Sequence, residues 1–493
     1  MNKLFPKAFR LWFLSLFTAA VFPFPLIAAE SPANGLLGVW CVKVNDSEQD
    51  RNDRFVLQVG KDQKGHLTVY FQNLDELGGG ELMPLDKVQL EGKGFDAENQ
   101  FLDLKLSPNP TGAVLNGTLQ TKGDGKFYPI SFSRNLNFTL PRVDDEGRAV
   151  TQYTYQLPQT LLDGWQVGDL RKSALDPKII ETGVDRILNQ QYPHIEGLVV
   201  VQKGQLLLDE YFKGLGPGDS HQLQSATKSV FSILFGIAQD QGLVDQTERL
   251  YNYFPEYRNQ AGWQKDKALI TLDDLLTMTS GLACDDWTPA KDCGQEMLKT
   301  PDLLSFVLFQ PLDNVPGEHF TYCTCCLEPL GAIIALKSGM SVPDFAQKFL
   351  YNPLGIQAHD WWTAPHQVTE VGGSHWLKPR DMAKLGALYL NHGKWNNKQV
   401  VSREWVDIST GIQAPIPRRI PWNYGYLWWL EEMPVKNKKI HVFFAAGNGD
   451  QFMFVAPDLD LVCVMTGDDY KGTHIVGNPS EEFFKTYILG AFK

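Results

Sequence analysis

Residues 224–238 run from a polar turn, Gln224-Ser225-Ala226-Thr227-Lys228-Ser229-Val230, straight into the apolar Phe231-Ser232-Ile233-Leu234-Phe235-Gly236-Ile237-Ala238. A helix that is apolar on every side must be packed on every side, so this stretch belongs at the centre of a large fold. At three-residue spacing, Ser225 and Lys228 share one face of the helix start. The first turn of a helix leaves N–H groups unpaired, and these favour developing negative charge. Serine is a weak nucleophile until a base takes its proton, and lysine does this near neutral pH only where burial lowers its pKa. The two strand-like runs before the turn, Gly197–Val201 and Gln205–Leu208, are joined at Lys203-Gly204 and read as a hairpin leading to the helix.

The chain of 493 residues, 43% hydrophobic, is long enough for two domains. Its formal charge of -12 repels phosphate backbones, and no concentrated basic patch offsets it, so a nucleic acid partner is not expected. Lys3, Lys7 and Arg10 precede the apolar stretch Leu11–Ile27 and then Ala28-Ala29, the anatomy of a signal peptide over 1–29. Pro23 and Pro25 disfavour the alternative of a spanning anchor. An exported, periplasmic or secreted protein is the expectation, with weak membrane association if the segment stays uncleaved.

Seven cysteines follow that segment: Cys41, Cys284, Cys293, Cys323, Cys325, Cys326 and Cys463. In an oxidising compartment, disulfides are expected, and an odd count leaves a thiol over. The group Cys284/Cys293 and the group Cys323/Cys325/Cys326 lack the spaced pairs and histidines of a zinc site, so bridges between the two groups are expected and no metal or cofactor.

Residues 31–140 alternate in short runs such as Arg54–Val59 and His66–Phe71 between Gly and Asp turns, an all-β pattern for a small barrel or sandwich. Gly38-Val39-Trp40 and Arg134 resemble, weakly, the lipocalin-like barrels. A polar linker over 141–165 ends in Asp163-Gly164-Trp165. The second domain, 166–493, then reads helix, hairpin, a helical middle, strands from Tyr424 to Met465, and a closing helix Glu481–Leu489 capped by Ser480. Strands at both ends of this domain imply an α+β fold, an antiparallel sheet flanked by helices with a helical lobe and a cleft between. Ser280 before Gly281 reads as a turn residue, and His375 after Gly372-Gly373 as a packing residue with a remote claim to be a base.

Three segments in order, Ser225-Ala-Thr-Lys228, Tyr322-Cys-Thr324 and Ala445-Ala446-Gly447, resemble the motifs of the serine β-lactamase and penicillin-binding protein superfamily, in its class C-like branch of esterases and amide hydrolases. Asp163-Gly164-Trp165, Leu275–Leu282, Pro316-Gly317 and Gly447-Asn448-Gly449 support the likeness, which does not reach residues 31–140. The resemblance implies that Ser225 is acylated, that Lys228 activates it, and that Tyr322, as a phenolate, passes protons. It also implies an oxyanion site at the N–H groups of Ser225 and Asn448, with Gly447, Ala446 and Thr324 beside the substrate. Thr324 stands where the family usually has asparagine, and Ala445 where it has lysine or histidine. Loss of that cation weakens recognition of a carboxylate. Hydrolysis of a small ester or amide, with cell-wall fragments among the sources, is therefore expected ahead of β-lactamase or D-alanyl-D-alanine carboxypeptidase action, and ahead of noncatalytic cell-wall binding. Arg380, Arg418 and Arg419 are the cations that would substitute for the missing one.

Overall fold

The computed structural model describes nine strands between residues 38 and 134, and residues 153–493 apart from 190, 213–214, 261–262, 289, 298–299, 301, 358–359, 362–368, 415, 417–419 and 471–477. The segment 1–29, with its expected signal peptide, lies outside the described residues. The chain divides into two compact units, Met1–Gln152 with Phe212–Gly216, and Tyr153–Tyr211 with Pro217–Lys493.

In the first unit, β1 (Gly38–Asp46), β2 (Arg51–Lys61), β3 (Leu67–Asn73), β4 (Met83–Leu85), β5 (Lys87–Glu91), β6 (Gly94–Glu98), β7 (Leu102–Pro108), β8 (Val114–Thr121) and β9 (Phe127–Arg134) form one sheet in the order β4-β3-β2-β1-β9-β8-β7-β6-β5. Neighbours in sequence are neighbours in space, except that β1 pairs β9 while β4 and β5 form the two edges. Trp40 and Arg134 are Cα partners in the β1–β9 pairing. Burial repeats every second residue at Leu57 and Val59, Phe95 and Ala97, and Leu104 and Leu106, so one face carries the core. The expected all-β region is thus a single hydrogen-bonded up-and-down sheet.

The second unit is the expected α+β body. Its sheet contains β10 (Gln166–Val167), β11 (Ile195–Gln202), β12 (Gln205–Tyr211), β13 (Asn423–Tyr424), β14 (Trp429–Val435), β15 (Lys438–Gly447), β16 (Gln451–Ala456) and β17 (Leu461–Gly467). The order is β10-β12-β11-β17-β16-β15-β14-β13, antiparallel except for the short β10–β12 pair. Val199 opposite Val464 joins segments from the two ends of the unit. Every residue of β11 is buried, which explains why it reads as a continuous apolar run and not an alternating one.

Helices cover the sheet where local signals start them. Asp176 caps α1 (Pro177–Leu188), its side chain accepting from Lys178 N with Pro177 in the first turn. The central α2 (Thr227–Asp240) is buried from Thr227 through Ala238. Trp405 packs on its Gly236, where an added Cβ would lie 2.1 Å from the indole. Further along come α3 (Glu328–Ser338), which ends on a left-handed Gly339, and α4 (Pro379–Leu390), whose Gly386 lies against Val462. The closing helix begins two residues earlier than Ser480 suggests. Asn478 caps it, accepting from Glu481 N, because Pro479 is preset for the first helical position, and α5 (Pro479–Phe483) continues as a π turn over Phe484–Ile488.

Candidate active site

Ser225 sits in a single 3-10 turn, Gln224–Ala226, between the hairpin and α2. Gln224 holds a left-handed backbone (φ 49°), a conformation costly for a side-chain-bearing residue and concentrated at functional turns. One turn on, Lys228 is 1% exposed, and its Nζ donates to Ser225 Oγ at 2.8 Å and to Gly372 O at 2.8 Å. A buried ammonium needs such partners. Asp286 and Glu328 also lie within electrostatic reach of it.

The second segment brings Tyr322 to the same point: its ring centroid lies 5.0 Å from Lys228 Nζ. The ring packs in a cluster with Trp287 (5.2 Å, 6°) and Trp429 (5.6 Å, 26°), whose own centroids are 6.3 Å apart, and Phe320 meets Trp429 edge-on. Thr324, in the position usual for asparagine, donates its N–H to Asp286 Oδ2 at 3.0 Å and its hydroxyl to the same oxygen. Asp286 N in turn donates to Tyr322 O at 2.9 Å. Burial pushes the Asp286 carboxyl up, against the opposing pull of Lys228 and Thr324. The threonine hydroxyl therefore fastens the tyrosine segment to the loop that carries Trp287.

The third segment ends β15. Gly447 is pressed onto the serine turn: a Cβ there would stand 2.1 Å from Leu223 O and 3.0 Å from Ala226 N. Ala446 pairs with Phe452, Ala445 is buried opposite Met453, and Asn448 follows, exposed, in the turn before Gly449 (φ 77°). Ser225, Lys228, Tyr322, Thr324 and Gly447 thus come together from three segments, with Ala446 and Asn448 flanking Gly447 in the chain.

Other nominated residues lie apart from this chemistry. His375 is wholly buried, stacked on Trp361 at 4.3 Å and 3.0 Å from Tyr351 Oη through Nε2. Ser280 is buried and accepts from Leu282 N in the turn made by Gly281 (φ 73°). Arg380 does not replace the missing cation: it is 2% exposed and paired at 2.6 Å with both Asp163 and Asp209. Trp165 Nε1 donates to Arg380 O, so Asp163-Gly164-Trp165 serves to anchor this arginine. Arg418 and Arg419 lie outside the described residues.

The cysteines correct the expected pairing. Bridges close within each group, Cys284–Cys293 and Cys323–Cys326, with Cα atoms 5.5 and 5.4 Å apart. The groups do meet, since the sulfurs of Cys284, Cys293 and Cys325 lie within 4.8 Å of one another. Partners 9 and 3 residues apart are nevertheless brought together by much shorter loops than partners in different groups. Cys325 and Cys463 are left as buried thiols. One bridge thus begins the loop of Asp286 and Trp287, and the other begins beside Tyr322.

Sequence reasoning passed over Asp286, Glu328 and Glu370. Each had a faint signal: Asp286 and Trp287 follow a cysteine, Glu328 is the single acid in the run from Cys323 to Leu336, and Glu370 precedes Val371-Gly372-Gly373.

A profile described as Beta-lactamase matches residues 185–474. The 6-aminohexanoate-dimer hydrolase of Paenarthrobacter ureafaciens is 25% identical over 226 residues, 42% of this chain and 55% of that protein. The chain therefore spans about half the length of this curated relative. A Bacillus anthracis structure provisionally named a 6-aminohexanoate-dimer hydrolase superposes with a TM-score of 0.52 at 17% identity, over 69% of this chain and 87% of that one. A hydrolase described as having promiscuous acyltransferase activity gives a TM-score of 0.51 at 14% identity, over 64% and 98%. These structural likenesses establish the fold.

Proposed function

The chain belongs to the beta-lactamase family, and from that premise we propose that it is an exported serine hydrolase that cleaves a small ester or amide through an acyl-enzyme on Ser225. The observation that carries the reading is the 2.8 Å contact between Lys228 Nζ and Ser225 Oγ, beside the Tyr322 ring. In the proposed reaction Ser225 Oγ, oriented by the hydrogen bond from Lys228 Nζ, attacks the carbonyl carbon while its proton passes to Tyr322, a phenolate stabilised by the lysine charge. The negative oxygen rests on the N–H groups of Ser225 and Asn448, and the proton then leaves on the departing alcohol or amine as its bond to carbon breaks. Water, deprotonated by the same pair, attacks the acyl carbon and frees Ser225. An oxyanion donor of this kind is worth about 3–4 kcal/mol in the barrier.

Substrate class follows from what borders the serine. Ala445 offers no charge to a carboxylate, while Trp287, Tyr322 and Trp429 form an aromatic stack at the site. These features favour a neutral, partly apolar acyl or leaving group over a penicillin or a peptide C-terminus. The curated relative is named for an amide dimer and one structural neighbour for acyl transfer, in keeping with that chemistry. Two disulfides and the basic-then-apolar N-terminus support an oxidising destination, periplasmic or secreted.

The test is intact-mass labelling with a fluorophosphonate, followed by assays with short-chain esters, simple amides and nitrocefin. One adduct on the wild type, none on Ser225→Ala, and turnover of esters or amides with little on nitrocefin are expected. An unlabelled wild type with no turnover would overturn the hydrolase reading, and rapid nitrocefin hydrolysis would overturn the substrate class.

A further inference from the structure

Behind Lys228 lies a pair of acids that the proposed chemistry does not use. Glu328, the first residue of α3, is 0% exposed, and Glu370 is 3% exposed. Between them they hold three successive backbone N–H groups. Val371 N donates to Glu328 Oε1 at 3.2 Å, Gly372 N to Glu370 Oε1 at 2.7 Å, and Gly373 N to Glu370 Oε2 at 3.0 Å. The carbonyl in the middle of this turn, Gly372 O, accepts from Lys228 Nζ at 2.8 Å. Gly372 is also wedged against the second segment, where a Cβ would come within 2.5 Å of Thr324 Cγ2 and 3.1 Å of Thr324 O.

We infer that Glu328 and Glu370 form a carboxyl–carboxylate pair holding one proton, and that this pair positions Lys228 against Ser225 by bracing the Val371–Gly373 turn. This rests on the hydrolase reading above and adds positioning residues to it.

Two facing carboxylates in a buried site cannot both stay charged without a large cost. Burial first, and the neighbouring Glu370 next, push the Glu328 carboxyl well up. Glu328 Oε2 is buried and has no hydrogen-bond donor among the described residues. A proton on that oxygen, donated to Glu370, satisfies it, whereas Glu370 must keep both oxygens as acceptors for Gly372 and Gly373. Among the described residues, the Lys228 ammonium and the buried Cys325 thiol also lie within electrostatic reach of Glu328. The arrangement stiffens the carbonyl that Lys228 leans on and so fixes its Nζ against Ser225 Oγ.

A purely structural buried pair would respond alike to either isostere; a one-proton brace does not. In Glu328→Gln the amide N–H replaces the shared proton and the amide oxygen still accepts from Val371. In Glu370→Gln an NH2 group faces a backbone N–H, and one bond to the turn is lost. The experiment measures fluorophosphonate labelling rate, kcat and KM on the best ester, thermal midpoint, and hydrogen exchange of residues 371–373 by mass spectrometry. Glu328→Gln is expected within about threefold of wild type, whereas Glu370→Gln loses about tenfold or more in labelling rate and kcat with KM within about twofold. Exchange at 371–373 rises only in Glu370→Gln. Glu370→Asp, which withdraws the carboxylate by one methylene, repeats the loss if the glutamine variant does not fold. Equal loss in both isosteres, or wild-type rates in both, overturns the inference. A wild type that neither labels nor turns over substrate overturns the hydrolase reading instead, while the exchange comparison still judges the brace.

Discussion

The two sheets are built on opposite plans. In the first unit each strand pairs with the next in the chain, apart from the β1–β9 closure and the β4 and β5 edges, so most of the sheet follows from local turns. In the second unit the central β11 lies between its hairpin partner β12 and β17, a strand from the far end of the domain. The site belongs to the second plan. The distant strands press Gly447 onto the Ser225 turn, and the helical middle contributes Tyr322 and the Gly372 carbonyl. A catalytic point assembled from remote segments is exacting about backbone fit, whereas a meander tolerates local errors without reaching the chemistry.

Matched glycines provide the sharpest way to break this contrast. An added Cβ at Gly447 meets Leu223 O at 2.1 Å, and one at Gly117 in β8 meets Lys105 O at 1.7 Å. Gly447→Ala is expected to cut probe labelling and kcat by about a hundredfold or more, because the serine turn and its oxyanion donors move apart. Gly117→Ala is expected to speed hydrogen exchange across β7 and β8 while labelling at Ser225 stays within about twofold. Loss of labelling in Gly117→Ala, or normal labelling in Gly447→Ala, would erase the distinction.

Next in size is Arg380→Met. It strands Asp163 and Asp209, the latter with its side chain buried and its carboxyl already pushed up by desolvation, so chemical denaturation should show a loss of about 3–5 kcal/mol. The loss should register in the second unit alone, since all three residues lie there.

The smallest effect is a gain. Burial raises Asp450 to about 6, with Asp468 and Asp469 adding to the rise and Ser480 and His194 opposing it. Because this folded value exceeds the ordinary carboxyl value of 3.8, the folded state is favoured fully at low pH and loses that advantage as pH climbs through about 6. Asp450→Asn removes the penalty, and asparagine tolerates the left-handed backbone there (φ 65°). Thermal midpoints should therefore rise above pH 6 by the equivalent of at most about 3 kcal/mol and stay unchanged near pH 4. A gain of equal size at both pH values would count against the electrostatic account.

The unequal plans also explain what could be read in advance. Alternation in Phe95–Ala97 or Leu104–Leu106 is a local property, and so is the three-residue step from Ser225 to Lys228. The motif resemblance carried Tyr322, Thr324 and Gly447, whose convergence no single stretch reveals. Asp286, Glu328 and Glu370 stayed hidden because their roles depend on partners 38–43 residues away or on a backbone turn that local periodicity does not mark. The cysteine pairing was misjudged for a related reason. Both groups do converge, but convergence of groups does not decide which sulfurs bond within them.

The pairing of β11 with β17 also has a temporal side. On a ribosome adding about 5–20 residues per second, β11 and the serine turn emerge more than ten seconds before the strand that completes their sheet. During that interval the apolar β11 and α2 lack their permanent cover and make a natural target for chaperones. The turn that carries Ser225, for its part, meets Gly447 only once β15 has been made, when nearly all of the chain has been synthesised.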